Sequence, residues 1–216
     1  GCVIVFASGN ISNTSSICNF VKYPANCNDT ILAVGAIQKD GMRADYSHYG
    51  AALDLVAPGD SILSTFPNDC IGYKSGTSMA CPHVAGVAAL ILERNSELTV
   101  TQVNSIINST AKKISGVDFN VSKADGMWNE EYGYGLVDAY NAVVNTPNIV
   151  YIQNETITGC RMISADNIYV GRDVTDEQSH GNVTLGQGQI TLQAKSVAIK
   201  NSTAVPLGTT LKIINR

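Results

Sequence analysis

Gly76-Thr77-Ser78-Met79-Ala80-Cys81-Pro82-His83-Val84-Ala85-Gly86 is the stretch on which the fold turns. A serine heads an apolar, alanine-rich run, with glycine just before it and proline just after. Gly76 permits a backbone turn that a residue carrying a Cβ resists. Thr77 and Ser78 both suit a helix start. The pattern predicts a helix over 78–94 whose positive end lies beside the Ser78 hydroxyl, where an oxyanion would form in acyl transfer. Val84, Val87, Ala88, Leu90 and Ile91 recur on nearly all sides, which predicts a central helix buried all round.

The flanking sequence supplies a sheet for such a helix. Val3–Ala7 is a short continuous apolar run, the mark of a buried parallel strand. Thr30–Ile37 reads as a second strand, and Ala52–Ala57 as a third that ends at Pro58-Gly59. Leu98–Ala111 is amphipathic, with Thr101 as its cap and Val103, Ile106 and Ile107 on one face. A short last helix over 138–144 follows Gly133-Tyr134-Gly135. Strands alternating with helices predict an α/β fold, a parallel sheet with flanking helices.

The run at 76–86 closely resembles the catalytic-serine signature GTSMAxPHVAG of the subtilisin-like serine proteases, the subtilases. Other stretches resemble the family in register: Ala7-Ser8-Gly9-Asn10, Tyr23-Pro24-Ala25, Ala33-Val34-Gly35-Ala36, Arg43 to Gly50, Leu53 to Gly59 and Gly133 to Ala139. The resemblance covers residues 1–146. It implies a subtilisin-like domain that hydrolyses peptide bonds in polypeptide substrates. Ser78 would be the nucleophile. The Asn10 amide and the Ser78 N–H would bind the oxyanion. Ala7, Ser8 and Gly9 would wall the primary specificity pocket, with Thr77 beside them. The plain alternatives are a helix-capping serine and a turn asparagine.

Subtilases use Asp, His and Ser in that chain order. Neither a D-T/S-G nor an H-G-T-H segment occurs here. The resemblance therefore implies that the N-terminal part of the domain, with the acid and the base, lies upstream, and that this part alone is inactive. It implies no required cofactor and allows a structural calcium or sodium ion held by the loop Tyr23–Ile31 and Asp54, with a solvated or capping aspartate as the plain alternative. It also implies a secreted or cell-surface enzyme. The competing reading is an inactive protease-like scaffold or a surface-attachment module.

After Pro147 helical periodicity stops. Val183/Leu185, Ile190/Leu192, Val197/Ile199, Val205/Leu207 and Leu211/Ile213 each alternate in-out-in, with Gly186, Gly188, Asn201 and Gly208 between them. This predicts a separate all-β module over 147–216, solenoid-like, with a meander or small β-sandwich as the alternative. Attachment to a surface is the partner role such a module suggests.

The formal net charge of -4 lacks the basic footprint of a nucleic-acid binder. No apolar stretch reaches membrane-spanning length, so no transmembrane segment is expected. Of six cysteines, Cys18 and Cys27 flank a polar loop and either pair or stay free, while Cys81 reads as a buried thiol. Eight Asn-x-Ser/Thr sequons, at Asn10, Asn13, Asn28, Asn108, Asn120, Asn154, Asn182 and Asn201, suggest either a glycosylated secreted chain or chance. Chance is the better reading, because a glycan on Asn10 would block catalysis. His48, His83 and His180 are not expected to be the general base, and His83 is expected to point into the packing.

Overall fold

The computed structural model describes residues 1–11, 18–171, 174–175, 183–185, 188–200, 203–204 and 209–215. The chain divides into two compact units, Gly1–Thr146 and Pro147–Arg216.

The first unit is built on a parallel sheet. Strands β1 (Ile4–Ala7), β2 (Ile31–Ile37) and β3 (Leu55–Pro58) lie in that order, with Ile4 opposite Ile31 and Val34 opposite Leu55. All seven residues of β2 are buried, which is why it reads as an unbroken apolar run rather than an alternation. Leu32, Val34 and Ala36 face one core, and Ala33 and Ile37 face the other.

Helix α1 (Thr77–Arg94) packs on all three strands. Val84, Val87, Ala88 and Ile91 are buried in the first core. The expectation that α1 is buried all round is not met within this unit. Pro82, His83, Ala85, Gly86 and Ala89 are exposed, and Leu90 is 51% exposed. Beside this face, β1 is the open edge of the sheet, with Ile4 43% and Phe6 37% exposed.

Two antiparallel hairpins make the sheets mixed. They are β4 (Ile62–Phe66) with β5 (Cys70–Lys74), and β6 (Val121–Lys123) with β7 (Gly126–Trp128). Helix α2 (Val100–Ser109) is capped by Thr99 rather than Thr101, because Thr99 and Gln102 form a reciprocal capping box. Helix α3 (Ala139–Asn145) is capped by Asp138. Both pack on α1.

Among its described residues the second unit has strands and no helix. Strands β8 (Ile149–Ile152), β9 (Thr156–Ile157), β10 (Arg161–Ser164), β11 (Asn167–Val170), β12 (Val183–Leu185), β13 (Gly188–Ala194), β14 (Ser196–Ile199), β15 (Thr203–Ala204) and β16 (Thr209–Asn215) form three sheets. Their orders are β8-β11-β14, β9-β12-β15 and β10-β13-β16, and every pairing is parallel. Each strand thus pairs with the strand three further along, not with its sequence neighbour. A meander or hairpin sandwich, which pairs neighbours antiparallel, does not describe these strands. Ile152, Ile157, Ile168, Val183, Ile190 and Leu192 belong to one buried cluster. Val205/Leu207 lies outside the described residues, as do Gly186, Asn201 and Gly208.

Candidate active site

The helix carrying Ser78 is placed by backbone-to-backbone packing. At Gly59, just beyond β3, an added Cβ would stand 2.5 Å from the Ala36 Cβ and 2.9 Å from the Gly76 carbonyl oxygen. Only glycine allows that approach, and it lets the Gly76 N–H donate to the Gly59 carbonyl at 2.8 Å. Gly76 itself sits at φ 154°, where glycine is favoured. The start of α1 is thereby fixed at the C-terminal end of β3.

Gly76 is the N-cap and has no side chain to cap with. The cap comes from a distant segment. Asn10 Oδ1 accepts the Thr77 N–H at 2.9 Å and the Thr77 hydroxyl at 3.2 Å. The Met79 N–H donates to the Gly76 carbonyl at 2.9 Å. Between these two satisfied donors, the Ser78 N–H has no acceptor among the described residues. With Oδ1 turned to Thr77, the Asn10 amide offers its Nδ2 donors toward a ligand. The Ser78 side chain is exposed, and Pro82 removes the N–H that would have bonded the Ser78 carbonyl. The exposed Ser78 hydroxyl thus sits on a residue whose N–H is unbonded, next to a residue tied to the Asn10 side chain.

The segment bearing Asn10 is held on both sides. Ser8 N–H donates to the Val34 carbonyl at 2.8 Å, and Lys22 N–H to the Ser8 carbonyl at 2.9 Å. His48 N–H donates to the Gly9 carbonyl at 2.9 Å, and Ile11 N–H to the Tyr46 carbonyl at 2.8 Å. The Ser8 side chain is buried and its hydroxyl donates to the His48 carbonyl at 2.8 Å. Ala7 and Gly9 stay partly exposed beside it.

Neither described histidine bonds the Ser78 hydroxyl. His83 is exposed, not packed inward as expected, and its Nδ1–H donates to the Met79 carbonyl at 2.8 Å. His48 is 1% exposed, donates Nδ1–H to the Phe20 carbonyl at 2.9 Å and stands edge-on to the Phe20 ring. Its backbone N–H and carbonyl hold Gly9 and Ser8, the two residues before Asn10. His180 lies outside the described residues, as do Asn13, Asn182 and Asn201. Cys18 and Cys27 are both free thiols, so the open pairing resolves against a disulfide. Cys81 is half-buried, with Sγ donating to the Val5 carbonyl at 3.4 Å, and burial pushes its thiol pKa up. The Asn108 sequon is only 5% exposed and could not carry a glycan in the folded chain.

Asp54 belongs to a different place. A cavity of about 550 Å³, lined among others by Asp29, Asp54, Asn104, Asn108, Lys123 and Asp125, includes none of the serine-site residues. Asp54 Oδ2 accepts the Ala33 N–H at 2.7 Å. Burial lifts its carboxyl to about 6; the Ala33 N–H, Lys123 and Asn108 act against this, and Asp125 adds to it. Asn104 Oδ1 and Asn108 Oδ1 are buried without a donor. Sequence reading missed both asparagines, whose polar character on the inner side of α2 was the available signal. Oxygen donors of this kind are the ones calcium or sodium takes, but among the described residues no group of three His, Cys, Asp or Glu side chains is placed to hold a metal ion, and Lys123 shares the cavity.

In metal-free buffer this carboxyl makes stability fall with rising pH. A folded-state pKa raised from 3.8 to about 6 gives a contribution that is complete below the lower value and lost as pH passes the higher one. The Asp54 contribution is about 3 kcal/mol across that window. Asp54→Asn keeps an acceptor for the Ala33 N–H and removes the titration. Urea unfolding at pH 4 and pH 7 should show the mutant losing less stability than the wild type, and an equal loss in both would refute the assignment.

Residues 1–135 match the family model for the subtilase family, Peptidase_S8. That match covers more than half of the chain. The chain belongs to the subtilase family. Subtilisin E of Bacillus subtilis (strain 168) is 47% identical over 142 residues, 66% of this subtilase chain and 34% of that protein. Subtilisin DY of Bacillus licheniformis is 45% identical over 114 residues, 53% of this chain and 41% of that protein. Among solved structures, a protease from Pseudoalteromonas arctica PAMC 21717 aligns with a TM-score of 0.53 and 32% identity, over 68% of this chain and 43% of that one. This subtilase chain therefore spans well under half the length of these relatives.

Proposed function

We propose that this chain is the nucleophile-bearing part of a secreted or cell-surface serine endopeptidase. Ser78 attacks the peptide carbonyl of a polypeptide substrate, and Asn10 Nδ2 and the Ser78 N–H hold the oxyanion. The observation that supports the reading is the bond from Thr77 N–H to Asn10 Oδ1, which ties the Asn10 side chain to the residue just before the exposed serine. Ala7 and Gly9, both partly exposed, line the path of the substrate, and the buried Ser8 and Thr77 support it from behind. The base and its orienting acid come from sequence outside this chain. Support for that lies in the uncovered apolar face of α1 and the open edge of β1, surfaces that a larger domain would bury. No helix among the described residues is long and apolar enough to cross a membrane.

Asp54, with the Asn104 and Asn108 oxygens, would hold a structural calcium or sodium ion whose charge favours the ionised carboxylate. The second unit is a three-sided parallel solenoid whose role is attachment. Its support is the pairing of each strand with the one three further along.

A serine-directed fluorophosphonate tests the catalytic assignment. In the full-length protein, labelling is expected at Ser78 and should vanish in Ser78→Ala. Labelling that persists in the mutant would move the active site elsewhere, and a wild type that never labels would favour an inactive scaffold.

A further inference from the structure

We infer that Lys22 is a specificity residue that selects an acidic side chain on the substrate residue whose carbonyl is attacked. This rests on reading Asn10 and Ser78 as the oxyanion site and Ala7-Ser8-Gly9 as a pocket wall. Lys22 is tied to that wall at three points. Its backbone N–H donates to the Ser8 carbonyl at 2.9 Å. Its stem lies over Gly9, where an added Cβ would stand 2.9 Å from Lys22 Cδ and 3.0 Å from Cγ. Its Nζ donates to the Asn10 carbonyl at 3.3 Å. The ammonium is therefore anchored on the backbone of the same residue whose side chain caps Thr77 beside the nucleophile.

The charge has no carboxylate partner among the described residues, whose ion pairs include those of Arg43, Arg161 and Lys195. One carbonyl occupies one of three ammonium donors, so two remain for a ligand. When the substrate oxygen sits on Asn10 Nδ2, the side chain of that substrate residue falls against the segment just before Asn10. A Glu or Asp there meets a half-buried cation with donors to spare, and forms a charge-assisted hydrogen bond where water is partly excluded. A large neutral side chain meets the Lys22 stem filling the space over Gly9. A basic one meets a like charge.

The test uses the full-length enzyme and peptide nitroanilides that differ only at the acyl-side residue, Glu, Phe or Lys. The ratio of kcat/KM for Glu over Phe is expected to fall about 10- to 100-fold in Lys22→Ala and to persist in Lys22→Arg. Lys22→Glu should favour the Lys peptide over the Glu peptide. A merely structural lysine would lower all three rates by one factor and leave the ratio alone, which would overturn the assignment. So would a wild type that cleaves the Phe peptide through Ser78 and rejects the Glu peptide. If no peptide is cleaved in a Ser78-dependent way, the catalytic reading fails first, and the role of Lys22 falls with it.

Discussion

The 216-residue chain on its own is expected to hydrolyse casein about 10⁶-fold more slowly than a complete subtilisin. That factor is what loss of the triad costs in subtilisin itself, a member of this family, so it is a family expectation. The physical reason is local. A serine hydroxyl is a poor nucleophile until a base within hydrogen-bond reach takes its proton. Here the His83 Nδ1–H is bonded to Met79 within α1, and the His48 Nδ1–H to Phe20 beneath the sheet edge. On the proposed reading, what would remain is the pair of oxyanion donors, which gives only a residual acceleration. Ser78→Ala in the isolated chain should therefore change little, whereas in the full-length enzyme it should cost nearly the whole factor. Ordinary subtilase rates from the isolated chain, abolished by Ser78→Ala, would place the base within these residues. His48 would then be examined first, because its Nε2 is buried without a partner.

The core of the first unit was legible because its signals are local. An unbroken apolar run marks β2, which is buried throughout, and Gly76, Ser78 and Pro82 punctuate the start of α1. The like run at β1 predicts a buried strand, but β1 is a sheet edge whose residues are exposed or half-buried in this unit. The Thr99 cap was equally legible, since the Thr-x-x-Gln box is written at 99–102. Other features could not be read locally. The hairpins β4–β5 and β6–β7 expose Leu63, Ile71, Tyr73, Val121 and Met127, so their apolar residues look like scattered surface positions. Strands β8 to β11 are two to four residues long, too short for alternation to stand out. Burial of α1 was overread because its apolar residues cover more of the helix than this unit buries. The link between Lys22 and Gly9, and the cap that Asn10 gives to Thr77, join residues distant in sequence. Asn10 and Thr77 are 67 positions apart, so no local window contains both ends of that cap.

Replacing Asn10 by Leu in the full-length enzyme should lower kcat by about 10² to 10³ and leave KM near its original value, a magnitude measured for this donor in subtilisin itself and so again a family expectation. The structure adds a complication and its control. Asn10 Oδ1 also accepts the Thr77 N–H, so Leu removes a helix cap together with the oxyanion donor. Loss of a cap costs about 1 kcal/mol of stability. Asn10→Asp separates the two roles. Its carboxylate still accepts from Thr77 and favours the positive helix end, so stability should return. It has no Nδ2 donor and sets a negative charge against the developing oxyanion, so kcat should stay low or fall further. A stable Asp variant with a slow chemical step would assign the donor to catalysis. A Leu variant whose kcat is near normal would reduce Asn10 to a turn residue that caps α1.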